Sequence, residues 1–223
     1  MNETAVTFRE ILPRLEACRV VAGFSVDKPE HAVPLAKALL AGGIDAIELT
    51  LRTPAAMEAL KAICADVPEM LTGVGTILTP KAAAEVKAAG ADFGVAPGMN
   101  PRVVRAAQEA GLPFAPGVAT PSDLEAAIEL GCRFVKFFPA EAVGGVPYLR
   151  SISAPYKHLG IQYFPLGGLN AENMVEYLKE PNVPVIGGSW IVKKKLVENL
   201  DWTGITARAT DVIQALEVGI DNE

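Results

Sequence analysis

The chain has 223 residues, half of them apolar, and its formal net charge is −6. That length allows one domain with a sizeable core, and a sequence pI near 5.1 argues against a nucleic-acid-binding surface. No export signal is evident at the start, and no apolar run is long enough to span a bilayer, so neither nucleic acid nor membrane is expected as a partner.

Histidines and cysteines are few. With only His31 and His158 present, a histidine-built metal site or a Ser-His-Asp triad has little to work with. Cys18, Cys64 and Cys132 are widely spaced and form no CxxC pair. This pattern favours free thiols in a reducing cytoplasm over a disulfide or zinc framework.

The first predicted element is a helix over about residues 4–16 (TAVTFREILPRLE), which Pro13 bends or shortens. Short apolar runs then follow at near-equal intervals, each interval long enough for one strand, one helix and two loops. These eight predicted strands are 19–24, 45–50, 71–75, 92–96, 113–118, 133–138, 161–165 and 183–187.

The alanine-rich segments between these runs have helical periodicity. The segment 30–42 presents one apolar face and ends at a glycine pair, while 79–91, 100–111 and 120–131 each open on a capping residue followed by proline. Strands alternating with helices predict a parallel sheet closed into a (β/α)8 TIM barrel, one domain over residues 1–223 whose bottom is plugged by the N-terminal helix. A doubly wound open sheet is the alternative, but the chain has no GxGxxG fingerprint.

Lys136 lies inside the predicted strand RFVKFF, between apolar and aromatic neighbours. An ammonium group is costly to bury, and burial favours the neutral amine, which attacks carbonyl carbons to form Schiff bases. The alternative is a structural lysine whose head reaches solvent at the strand end.

In a barrel, function gathers at the carboxyl ends of the strands. Alternation along the second strand puts Glu48 on the same face as Ala46, and along the sixth it puts Lys136 on the same face as Phe134, so both charged groups are expected to face one cavity. Alternatively, Glu48 pairs with Arg52 at the rim. Glycine-rich loops after the last two strands predict a phosphate site, because bare backbone N–H groups can approach an anion.

Several segments resemble the 2-keto-3-deoxy-6-phosphogluconate (KDPG) aldolase family, which also has 4-hydroxy-2-oxoglutarate (KHG) aldolase activity. They are GGIDAIELTLRT, GVGTILTP, FGVAPGMNP, VKFFPAEAVGG, GGLNAEN and IGGSW. The resemblance implies a metal-independent class I aldolase without a cofactor, commonly a homotrimer, acting on a phosphorylated 2-keto-3-deoxy sugar acid and pyruvate. It makes Lys136 the Schiff-base lysine and Glu48 the general acid/base. The implied substrate-binding residues are Arg52, Thr76, Pro97, Phe138, Leu166, Gly167, Gly168, Gly188 and Ser189.

Two departures from the family pattern concern specificity. Leu166 stands where a threonine is usual, while galactonate-type relatives have a small apolar residue there, so the preferred C4 epimer stays open. The first strand reads VVAGFSV, where a proline and bulkier aliphatics are common. The other open alternatives are KHG as the main substrate, a non-covalent phosphosugar isomerase or synthase, and a catalytically silent trimeric phosphosugar-binding barrel.

Overall fold

The structure, a computed structural model, describes residues 8–221 of the chain, and short strands and helices alternate throughout this part. The strands are β1 Val20–Phe24, β2 Ala46–Thr50, β3 Leu71–Gly75, β4 Phe93–Val95, β5 Phe114–Ala115, β6 Gly117–Val118, β7 Phe134–Phe137, β8 Gln162–Pro165 and β9 Ile186–Gly188. The α-helices are α1 Leu12–Cys18, α2 Ala32–Ala41, α3 Ala56–Asp66, α4 Pro80–Ala88, α5 Pro101–Glu109, α6 Pro121–Glu129, α7 Gly145–Ser153, α8 Met174–Leu178, α9 Lys194–Glu198 and α10 Trp202–Asp221. None of the helices between residues 8 and 221 has the length and apolar character that a membrane crossing needs.

All strand pairs are parallel, as predicted, and spatial neighbours follow chain order except that the last strand, β9, pairs with the first, β1. One sheet has the order β5-β4-β3-β2-β1-β9 and the other has the order β6-β7-β8. Each predicted apolar run contains or overlaps an observed strand. The run 113–118 contains two, β5 and β6, because Pro116 between them has no N–H to donate to a ladder.

The predicted parallel α/β sheet is present, but its described strands do not pair as one continuous eight-stranded ladder. In the described residues the ladder is interrupted at Pro116, and no strand pairing joins β8 to β9. At that second gap, the side chains of Phe164 and Leu166 occupy the space beside Gly187. The observed architecture is therefore an α/β fold with a curled, open parallel sheet in two parts.

The N-terminal segment covers the amino ends of the strands. The ring of Phe8 lies 4.3 Å from that of Phe134 and 5.9 Å from that of Phe93, each the first residue of its strand. Of the helix predicted over 4–16, residues 4–7 lie outside the described part, residues 8–10 form a 3-10 turn, and α1 extends to Cys18. Pro13 is the second residue of α1, where its missing N–H is tolerated, so the α-helix starts beside it and is shorter than the helix predicted over 4–16.

The predicted helix starts are confirmed by their caps. Thr79 accepts a hydrogen bond from the backbone N–H of Ala82, and Asn100 accepts one from that of Arg102. Thr120 and Asp123 form a reciprocal capping box at the start of α6. These caps fix where the chain turns from a strand into the next helix, which is the end of the sheet where the polar side chains gather.

Candidate active site

A cavity of about 760 Å³ opens at the carboxyl ends of the strands, opposite the N-terminal segment. Its described wall contains eight of the eleven residues proposed from the sequence: Glu48, Arg52, Lys136, Phe138, Leu166, Gly167, Gly188 and Ser189. Thr76, Pro97 and Gly168 are not part of this wall, although Thr76 is hydrogen-bonded to Arg52 and Gly168 follows Gly167.

Lys136 and Glu48 form a buried pair within this cavity. Nζ of Lys136 donates a hydrogen bond of 2.9 Å to Oε1 of Glu48, and the two residues are 4% and 3% exposed. The ammonium group also lies 5.2 Å from the ring centroid of Phe138. Lys136 therefore does not reach solvent, and Glu48 pairs with Lys136 instead of Arg52, so both structural alternatives from the sequence are wrong.

Glycines on the neighbouring strands leave room for the carboxylate of Glu48. A Cβ added at Gly75 would overlap Oε1 of Glu48, and one added at Gly23 would lie 3.6 Å from Oε2. Gly23 is the register partner of Glu48 on β1, while Gly75 on β3 pairs with Thr50. The pair thus depends on the absence of a side chain at Gly75, whereas a Cβ at Gly23 would be in ordinary van der Waals contact with the carboxylate.

Arg52 lies at the exposed mouth of the cavity and contacts Thr76. Its Nε donates a hydrogen bond of 3.1 Å to Oγ1 of Thr76. Thr76 has a φ of 63°, a left-handed conformation that is uncommon for a threonine. The structure therefore brings together the two side chains that the resemblance assigned to one carboxylate, although Thr76 is not part of the cavity wall.

The predicted phosphate loop after β8 is held by the segment that follows β7. The backbone N–H groups of Ala140 and Glu141 donate to the carbonyls of Leu166 and Gly167, at 2.8 and 3.0 Å. Gly167 and Gly168 have φ values of 94° and 90°, which favour glycine. A Cβ at Gly168 would lie 2.5 Å from Cβ of Glu141, so this glycine is required by packing as well as by its backbone conformation.

The loop after β9 completes this side of the cavity. The ring of Trp190 occupies the space that a Cβ on Gly188 would need, and the backbone carbonyls of Trp190 and Ile191 accept hydrogen bonds from Arg208 of α10. Ser189, between Gly188 and Trp190 in the chain, is exposed. The loops that follow β8 and β9 thus each place a glycine in the cavity wall, Gly167 and Gly188.

Pro97 contacts the site indirectly. A Cβ at Gly117 would overlap the backbone of Pro97, and Gly117 is the register partner of Lys136. Pro97 therefore packs against the strand beside the lysine and does not line the cavity, in contrast to its predicted role.

Several cavity residues were not predicted. Ser25 and Thr50 share a hydrogen bond of 2.5 Å, and Lys28 and Lys193 add positive charge to the wall. Period-two alternation would have found the first pair, because Thr50 lies two residues beyond Glu48 and Ser25 two beyond Gly23. At the mouth, Asp27 forms an ion pair with Lys194, with 3.2 Å between Oδ2 and Nζ, and the carboxylate raises the pKa of that lysine.

In the described part of the chain, the histidine and cysteine side chains do not form a metal-binding cluster. Within residues 8–221, no group of three or more His, Cys, Asp or Glu side chains is placed to hold a metal ion. The three cysteines are free thiols, two half-buried and one buried.

Comparison with known proteins gives the class of this protein. The family model described as KDPG and KHG aldolase matches residues 11–208. The 2-dehydro-3-deoxy-phosphogluconate aldolase of Dickeya dadantii is 43% identical over 89% of this chain and 92% of that protein. The KHG/KDPG aldolase of Escherichia coli K12 is 42% identical over the same shares.

A solved structure agrees with these relatives. The KDPG aldolase of Legionella pneumophila, with pyruvate captured at low pH as a covalent carbinolamine intermediate, superposes with a TM-score of 0.85. It is 40% identical and covers 90% of this chain and 97% of its own. The chain belongs to the KDPG and KHG aldolase family, and it is an aldolase, a carbon–carbon lyase.

Proposed function

We propose that this chain is a class I aldolase that reversibly cleaves KDPG to pyruvate and glyceraldehyde 3-phosphate through a Schiff base on Lys136. The observation that carries the proposal is the buried contact of 2.9 Å between Nζ of Lys136 and Oε1 of Glu48. The names of the Dickeya and Legionella relatives support the same substrate.

The hydrogen bond between the two residues supplies the proton transfers that this chemistry needs. Passing a proton from Nζ to Oε1 leaves a neutral amine, which attacks the C2 carbonyl of the substrate and forms a carbinolamine. Glu48 then protonates the departing hydroxyl, water leaves, and a protonated imine remains on Lys136.

The imine provides the electron sink for carbon–carbon cleavage. Glu48, now a carboxylate again, takes the proton of the C4 hydroxyl, and the C3–C4 bonding pair moves into the imine to give an enamine. Glyceraldehyde 3-phosphate leaves, C3 of the enamine is protonated, and water releases pyruvate from Lys136. Every electron pair stays on the substrate or the lysine, so the cycle needs no cofactor.

The remaining predicted residues bind the two ends of the substrate. Arg52, supported by Thr76, is positioned at the mouth to bind the pyruvyl carboxylate by charge-assisted hydrogen bonds. The backbone around Gly167, Gly168 and Gly188, with the hydroxyl of Ser189, binds the phosphate. Phe138 and Leu166 form apolar wall between these ends, and Pro97 supports the strand beside Lys136.

Borohydride trapping with pyruvate tests covalency. We expect one reduced pyruvyl group at Lys136, located by peptide mass spectrometry, and none in Lys136→Ala. A matched control is Lys81→Ala, because Lys81 is an exposed helix lysine paired with Glu85, and this variant should label like the native protein. A label on another lysine would refute the assignment to Lys136. No label combined with turnover of a phosphosugar would favour the isomerase or synthase alternative, and no label without turnover would favour the silent barrel.

KHG is a second candidate substrate, supported by the name of the Escherichia coli relative. It would be cleaved to pyruvate and glyoxylate by the same steps, but it has no phosphate to use the loops after β8 and β9. A specificity constant for KHG above that for KDPG would make it the main substrate. The galactonate-derived C4 epimer of KDPG is a third candidate, because buried Leu166 lines the cavity without a hydrogen-bonding group.

We also propose that the sheet closes into a (β/α)8 barrel and that residues 1–223 form one domain. A further proposal is that three copies of the chain assemble in the cytoplasm. Closure is supported by the parallel pairing of the first strand, β1, with the last strand, β9. The trimer is supported by resemblance, and sedimentation equilibrium tests it. A single cooperative unfolding transition is expected of one domain.

A further inference from the structure

A pair of hydroxyl groups on the wall of the cavity has no part in the reaction described above. Oγ of Ser25 and Oγ1 of Thr50 lie 2.5 Å apart, and Oγ1 of Thr50 is also 3.3 Å from the carbonyl oxygen of Phe24. Both side chains line the cavity; Thr50 is 6% exposed, whereas Ser25 is exposed to the cavity and its mouth. Thr50 is therefore held in place by β1, while Ser25 keeps hydrogen-bonding capacity for a ligand.

The strand order locates this pair between the two ends of the bound substrate. Strand β1 lies between β9, which leads into the Gly188–Ser189 loop, and β2, which contains Glu48. Ser25 follows β1 on the same face as Gly23, the register partner of Glu48, and is one pleat nearer the mouth. A substrate that reaches from Glu48 to the loop after β9 has to pass β1 at this height.

The loop after β8 has an apolar side chain at the position that precedes its two glycines. Leu166, from the loop after β8, is apolar and buried against the cavity. The first strand, in contrast, has no side chain at Gly23 and a hydroxyl at Ser25. Of the side chains of Leu166 and Ser25, only that of Ser25 can hydrogen-bond a hydroxyl group of a substrate.

We propose that Ser25, anchored by Thr50, is a specificity-determining residue that hydrogen-bonds the C5 hydroxyl of the substrate, the hydroxyl next to the phosphate-bearing carbon. This inference rests on the proposed cleavage of KDPG, in which C5 lies between the carbon processed by Glu48 and the phosphate. The same hydroxyl is the C2 hydroxyl of glyceraldehyde 3-phosphate, so the contact selects among aldehydes in the addition direction.

The test compares two aldehyde acceptors for the addition of pyruvate. One is glyceraldehyde 3-phosphate, and the other is 3-phosphooxypropanal, which lacks only the hydroxyl in question. The intrinsic reactivities of the two aldehydes differ, so the readout is the change in the ratio of their kcat/KM values between the native protein and each variant. We expect Ser25→Ala to lower this ratio by about twofold to tenfold, the range of one neutral hydrogen bond.

Two further variants separate binding from a structural effect. Ser25→Thr keeps a hydroxyl and should retain a ratio above that of Ser25→Ala. Ser151→Ala removes an exposed helix hydroxyl bonded to the carbonyl of Pro147 and should leave the ratio at the native value. An unchanged ratio in Ser25→Ala, or equal losses with both acceptors, would overturn the proposal. Trapping of pyruvate at Lys136 is measured on the same samples. A native protein that is not labelled would show that the proposed function is wrong, independently of the role of Ser25.

Discussion

Gly75→Ala is expected to disable catalysis without unfolding the protein. Gly75 is the last residue of β3, and its φ lies outside the left-handed region, so alanine fits the backbone. The added Cβ would overlap Oε1 of Glu48 and lie 2.7 Å from Cδ and 2.9 Å from Cγ of the same side chain. The substitution therefore acts on the one carboxylate that contacts Lys136.

The size of the effect follows from these distances. Non-bonded carbons rest at about 3.5–4.0 Å, so the carboxyl carbon has to withdraw by about 1 Å. A shift of that size disturbs the hydrogen bond of 2.9 Å between the carboxylate and Lys136, whose geometry tolerates only a few tenths of an ångström. Misplacing a catalytic group by about 1 Å lowers the rate by about a hundredfold, which corresponds to about 2.7 kcal/mol in the barrier.

The assay follows pyruvate release from KDPG with lactate dehydrogenase, alongside thermal unfolding of each variant. Gly98→Ala is the matched control, because a Cβ there meets nothing within 4 Å, and it should keep native activity. Glu48→Gln keeps the shape of the side chain and removes the carboxylate, so it measures the loss of kcat/KM that is expected when the carboxylate is absent. A Gly75→Ala variant with native kcat/KM, or a loss equal to that of Gly98→Ala, would refute the role given to the Glu48 carboxylate.

Four further outcomes are expected. Leu166→Thr should sharpen preference for the gluconate-derived C4 epimer over the galactonate-derived one by about a few-fold to tenfold in kcat/KM, while pyruvate still labels Lys136; a native preference of several orders of magnitude would mean that Leu166 is not the selector. Incubation with EDTA should leave the cleavage rate unchanged, and a rate restored by zinc or magnesium would contradict the Schiff-base mechanism. Burial raises the pKa of Cys18 to about 12 and those of Cys64 and Cys132 to about 11, from 9.0, so at pH 8 iodoacetamide should label the native protein about a hundredfold more slowly than the unfolded protein. Because these pKa values are raised by folding, the stabilisation from neutral thiols is complete below pH 9 and is lost as the pH rises towards 11 to 12, and the urea midpoint should fall across that window.

The sequence by itself determined the strands, the helix starts and the side of each strand that faces the cavity. These features are local, because apolar runs and capping residues act over a few positions and alternation fixes the side of each side chain. Lys136 could be singled out for the same reason, since an ionisable residue between Val135 and Phe137 conflicts with its surroundings. Glu48 followed from its place at a strand end.

Only the tertiary structure decided which of these groups meet. The 2.9 Å contact joins residues 88 positions apart, and it requires the curl of the sheet, the register of β2 and β3, and a glycine at position 75 beside Glu48. The break in the ladder at Pro116 follows from a proline visible in the sequence, but the gap between β8 and β9 could not be predicted from apolar runs. The contact between Ser25 and Thr50 could not be predicted from the sequence either. It depends on the register of β1 against β2, which is set by packing over the whole sheet and not by either strand alone.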